Sequence, residues 1–310
     1  MRLTHDPRKL LDRELVESFS AWPGRMRLDG NSVSVSESVD QLRARVESLM
    51  LAPPSDPAAH GDALTTHQVS ELLGVDRTAV TETWRAIAAD HVPRALRIGW
   101  PSALATALDA LEGIGTLREV ASACGSAVGA GNRAYELTRV TLETSLADGI
   151  AWRRSGVTVL VSARRSAADP YEFMEHASEL RHVVSGLVAH GEVVSISRLE
   201  GAVAISPELK SLGVVSGSRL ADLAAAQIPY VLTNRRSDLY LSHLKPMYAL
   251  AAVADTLPLR EVTVDELQRR VRGRFPGALP LPSGTALDEA VLSGTGRTWG
   301  IGGYGFRDEG

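Results

Sequence analysis

The feature that most constrains this chain is an alternation of hydrophobic rhythms. Apolar residues recur at helical spacing over roughly 6–20, 37–51, 66–73, 77–90, 101–112, 116–123, 130–148, 170–190, 217–227, 236–255, 263–274 and 284–293. That is the one-faced pattern of amphipathic helices. Between these stretches stand short pairs of strand-like segments. Residues 25–28 and 32–35 flank Asp29-Gly30, residues 151–154 and 157–161 flank Ser155-Gly156, and residues 297–299 and 304–306 flank a glycine-rich turn. Such turns supply the positive φ that a tight hairpin needs. A lone two-stranded hairpin is not stable in water, so each must pack on the helices before it. The expected fold is mainly α, with tandem winged-helix or helix-turn-helix modules carrying small β-hairpin wings. The modules expected are a partial winged helix over 1–50, a helix-turn-helix over 60–100 and a winged helix over 101–165. A helical connector over 168–240 and a C-terminal winged helix over 240–310 complete the chain.

Composition narrows the function. At 310 residues, 44% hydrophobic and 23% charged, the chain is long enough to bury a substantial core. A net charge of −4 excludes a uniformly basic nucleic-acid coat and leaves room for a local basic face. Cys124, the single cysteine, excludes an internal disulfide and a cysteine zinc cluster; beside Gly125 in an apolar helix it reads as a core residue. No apolar run reaches the ~18 residues that span a bilayer. No basic segment followed by an apolar stretch opens the chain. A cytoplasmic protein without a membrane partner is expected.

The most informative motif lies at 65–90. Val69, Leu72 and Leu73 form the apolar stripe of one helix, and Gly74 ends it in left-handed geometry. Asp76 can cap a second helix, whose stripe is Val80, Trp84 and Ile87. A tight turn of this kind sets the second helix across the first and leaves its outer face for a major groove. That face carries Arg77, Thr78, Thr81, Glu82 and Arg85. The arginines can reach phosphate or guanine, and the threonines a phosphate or a thymine methyl. A looser copy starts at Thr116, with Arg133 and Arg139 on its following helix and Arg153 and Arg154 on its hairpin, where they could form a phosphate or minor-groove arm. The stripe of Val264, Leu267 and Val271 leaves Arg269, Arg270, Arg272 and Arg274 as the densest basic patch.

Catalytic signatures are missing. Residues 300–306 fit a G-x-G-x-x-G loop, but no lysine strand, His-Arg-Asp loop or Asp-Phe-Gly follows. Ser242-His243-Leu244-Lys245 fits S-x-x-K without further support, and no P-loop, G-x-S-x-G or H-E-x-x-H occurs. His176, His182 and His190 are spaced so that they do not converge on one metal. No catalytic residue, cofactor or metal is expected.

Three blocks carry a family likeness: Leu72-Leu73-Gly74-Val75-Asp76-Arg77-Thr78-Ala79-Val80; Asn234-Arg235-Arg236-Ser237-Asp238-Leu239-Tyr240 with the Ala-rich run to Asp255; and residues 259–276 with Pro280-Leu281-Pro282. Over about 65–306 the chain resembles the C-terminal region of the large serine/threonine kinases of bacterial phage-growth-limitation and BREX defence systems. The resemblance implies an accessory multi-helix-turn-helix region of a defence protein, and no kinase residue transfers. The expectation is a non-catalytic protein that binds or senses double-stranded DNA in phage defence or transcription regulation. The alternative is an adaptor whose winged helices hold a kinase or other defence subunit.

Overall fold

The computed structural model describes residues 39–54, 62–163, 169–258, 260–299 and 303–306. The expected hairpin at 25–35 and helix at 6–20 lie outside the described residues. The fold is mainly helical with small antiparallel strand pairs.

The first unit holds α1 (Val39–Leu51), α2 (Thr66–Leu73) and α3 (Arg77–Arg97). Val46 and Met50 of α1 pack with Val69, Val80, Trp84 and Ile87, so α1 shares one core with α2 and α3. The second unit runs α4 (Trp100–Ala110), β1 (Ile114–Thr116), α5 (Leu117–Val128), α6 (Ala134–Glu143), β2 (Ile150–Ser155) and β3 (Thr158–Ala163). Its sheet order is β1-β3-β2, all antiparallel, with Gly115 opposite Val161.

The segment expected as a helical connector repeats this order. It holds α7 (Pro170–Val188), a one-residue bridge at Val194, α8 (Ile196–Ile205), a 3-10 turn (Pro207–Val214) and α9 (Gly217–Gln227). The hairpin β4 (Val231–Thr233) and β5 (Leu239–Leu241) follows, and Val194 pairs antiparallel with Leu239 of β5. The helix expected over 236–255 therefore begins only at Pro246, because residues 234–241 turn and pair instead. The fourth unit has α10 (Pro246–Ala254), a bridge at Val262, α11 (Val264–Arg274), α12 (Thr285–Thr295), β6 (Arg297–Trp299) and β7 (Tyr304–Phe306). Val262 pairs with Tyr304 of β7.

One local device starts the second helix of every unit. Thr65, Thr116, Ser195 and Thr263 each accept a hydrogen bond from the backbone N–H three residues on. Thr65 with Gln68 and Thr116 with Glu119 complete reciprocal capping boxes. Four residues past each cap stands a fully buried Val69, Val120, Leu199 or Leu267. The residue before the cap is buried too where it has a side chain: Leu64, Val194 and Val262. An apolar pair bracketing a cap fixes the angle at which the chain enters the helix. This is a repeat of physics with unequal spacing, so no sequence period betrays it.

The units share walls. Along β3, Val159 and Val161 face the core of their own unit, while Leu160 joins Ile114 and Ala151 in the core built on α7, α8 and α9. Along β5, Leu239 faces its own core and Tyr240 enters the core of the fourth unit, edge-on to Phe275 at 5.1 Å. Alternation of side chains across a strand does this directly. A strand buried on both faces reads as a continuous apolar run, as Val157–Val161 nearly does.

Candidate nucleic-acid interface

The α2–α3 pair is built as the sequence predicts. Gly74 sits at φ 63°, and its N–H and that of Val75 turn back to the carbonyls of Glu71 and Ser70. Asp76 accepts from the backbone N–H of Thr78 at 2.8 Å and of Ala79 at 3.3 Å. Those bonds hold its carboxyl below the ordinary aspartate range. Three residues therefore separate the helices, and α3 crosses α2 with Val80, Trp84 and Ile87 inward. Outward stand Arg77, Thr78, Glu82 and Arg85, all exposed. No described residue pairs with the guanidinium of Arg77 or Arg85. Thr81 is half-buried and donates its hydroxyl to the Arg77 carbonyl at 2.8 Å. Its oxygen can accept but its proton is engaged.

The other expected contacts divide sharply. Helix α6, the counterpart of α3 in the second unit, is covered by α1 and α3, and all of Leu137–Leu142 is buried. Arg139 on it is 3% exposed; it pairs with Glu143, donates to the Met50 and Leu64 carbonyls, and lies 5.3 Å from the Trp84 ring centre. Arg139 is thus an internal clamp, not a phosphate contact. Arg154 is half-buried and donates to the Ala63 carbonyl, and burial lowers its pKa. It too is withdrawn from any arm. Arg270 is tied to Glu266 at 2.9 Å and to the Thr256 carbonyl at 2.6 Å. Arg133, Arg153 and Arg269 remain exposed.

The β2–β3 hairpin is not a free wing, because its tip is docked. Ser155 Oγ lies 2.8 Å from Ser178 Oγ and donates to Gln227 at 2.6 Å. Gly156 has φ 58°, and a Cβ there would sit 2.6 Å from the Gln227 carbonyl oxygen. Helix α9 is similarly packed in, with Arg219 gripping Glu119 of α5 through two bonds of 2.7 and 2.8 Å.

Arginine is used throughout as a clamp on backbone carbonyls. Arg118 reaches Asp62 and the Pro54 carbonyl, Arg274 reaches Asp238 and the Ala252 carbonyl, and Arg297 reaches the Arg260 and Pro258 carbonyls. A rigid fork of five donors suits this better than a lysine ammonium. Cys124 is fully buried, and burial pushes its thiol up to about 11. Among the described residues no cluster of three His, Cys, Asp or Glu side chains could hold a metal, and no helix is long and apolar enough to cross a membrane.

Sequence reasoning passed over Arg235 and Arg236, which stand exposed on the β4–β5 turn. Asn234 and Asp238 flanking a polar trio were a legible turn signal. No family model, curated protein or solved structure matches this chain.

Proposed function

We propose that this chain is a non-catalytic protein that binds duplex DNA with α3 in the major groove, carried at one end of tandem winged-helix units. The helix–strand–helix–helix–hairpin order of the second, third and fourth units, with the lone strand pairing to the second hairpin strand, supports the winged-helix reading. The single observation that carries DNA binding is the contrast between third helices. Helices α6 and α9 are largely buried and the exposed face of α12 carries the acidic Asp288 and Glu289, whereas α3 keeps Arg77, Thr78 and Arg85 bare on a helix set by a three-residue turn. Arg77 and Thr78, at the start of α3, suit phosphate contact, and Arg85 suits a guanine edge. A setting in phage defence or transcription regulation follows from the family resemblance alone.

The docked β2–β3 hairpin favours a second reading, an adaptor in which the stacked units serve only as a rigid protein-binding body. Duplex affinity of the full chain, measured at ~50 and ~200 mM salt, separates the two: phosphate-driven binding weakens steeply with salt. Arg77→Ala should lower the slope of log affinity against log salt by about one, and Arg85→Ala should cost ~1–3 kcal/mol with relaxed base preference. Absence of binding at the lower salt would overturn the DNA reading and leave the adaptor.

A further inference from the structure

The tip of the β4–β5 hairpin is built to hold two arginines outward. Asn234 Oδ1 accepts from the backbone N–H of Arg236 at 2.8 Å and of Asp238 at 3.1 Å. Its Nδ2 donates to Asp238 Oδ2 at 2.9 Å, and the loop closes through Asn234 N to the Asp238 carbonyl and Ser237 N to the Asn234 carbonyl. Ser237 takes the left-handed conformation, φ 57°, that the turn requires. Asp238 beneath the turn is 6% exposed, and its Oδ2 also accepts from Arg274 at 2.9 Å. Its charge is therefore answered from inside the protein. Arg235 and Arg236 are exposed, and no described residue pairs with either guanidinium. The β2–β3 tip, by contrast, is docked on α7 and α9.

From this we infer that Arg235 and Arg236 form a second phosphate-binding point, a free wing tip, directed at the sugar–phosphate backbone of duplex DNA. The inference rests on the reading of the chain as a DNA binder. A preorganised turn loses little entropy on binding, and two adjacent guanidinium forks match the oxygens of phosphate groups. An acidic protein surface offers the same charge. DNA is favoured because phosphates line the whole backbone at close spacing, so a short rigid pair finds partners without a dedicated pocket.

The test uses the full chain and a fluorescein-labelled random-sequence duplex, read by anisotropy from ~50 to ~200 mM salt. The double variant R235A/R236A should bind about ten- to sixty-fold more weakly near ~100 mM salt, with the salt slope reduced by roughly two. R235K/R236K should recover most of the slope, since lysine keeps the charge, but less of the affinity. Circular dichroism melting of both variants should match the parent, because neither side chain holds the fold. If the parent binds and Arg77→Ala weakens it while R235A/R236A leaves affinity and slope unchanged, the wing inference fails and the α3 reading stands. If the parent does not bind at all, the α3 reading fails and the wing inference falls with it.

Discussion

Replacing Arg219 by methionine tests the idea that arginine clamps hold the units together. Methionine keeps the apolar stem and removes the fork. Arg219 is 8% exposed, donates twice to Glu119, and donates to the Ile114 carbonyl at 2.9 and 3.2 Å. Without it the Glu119 carboxylate loses its charge partner and a buried carbonyl loses both donors. Removing one partner of a buried pair costs ~3–5 kcal/mol. The Glu119 side chain is 34% exposed, so water recovers part of its solvation and the lower end, about 3 kcal/mol, is expected. Against a typical total of ~5–15 kcal/mol that is a large loss. Glu119→Gln keeps volume and acceptor and should cost ~1–2 kcal/mol. The double variant should show coupling of about 1–2 kcal/mol.

The same pair sets a pH dependence. Burial pushes the Glu119 carboxyl up, but the bonds and charge of Arg219, with the Thr116 bonds, outweigh it and leave the pKa lowered. The contribution to stability is therefore complete above the ordinary glutamate range and is lost as pH falls through the lowered folded value. Urea unfolding followed by circular dichroism should show the parent's advantage over Glu119→Gln shrinking across that acidic window. A cost for Arg219→Met within ~0.5 kcal/mol of zero, or single-variant costs that simply add, would refute the clamp.

Two further outcomes follow from burial. Arg139→Met should destabilise the chain by ~3–5 kcal/mol in urea titration, while Arg133→Ala, on the exposed turn before α6, should stay within about 0.5 kcal/mol. Cys124 should resist a thiol reagent in native buffer and react once the chain is unfolded; rapid native labelling would contradict its place in the core.

Local signals carried much of the fold. Thr65, Gly74 and Asp76 mark the ends of α2 and the start of α3, and Thr116 and Thr263 mark α5 and α11, because caps and left-handed stops are decided by neighbours in the chain. Helix α8 was not among the helices read from the sequence, although Ser195, Leu199 and Val203 carry the spacing, because it is short. Residues 236–245, which include β5, were read as the start of a helix because Leu241, Leu244 and the alanines before Asp255 satisfy a helical stripe, and the Asn234 turn decides otherwise. The site divided along a different line. Nothing near Arg139 in sequence separates it from Arg77, since its acceptors belong to Met50 and Leu64. Whether an arginine seeks a phosphate or a carbonyl is settled by which helix lies over it, and that is a tertiary fact.

The shared walls also bear on how such an array could change by recombination. Because Leu160 and Tyr240 each belong to the core of the following unit, an internal unit has no seam along which it can be removed. Excising residues 170–241 would set the β3 face bearing Leu160 against helices shaped around the Tyr240 ring. The cooperative block is larger than any one repeat, so insertions and deletions should be tolerated in the loops between elements and not at the borders between units.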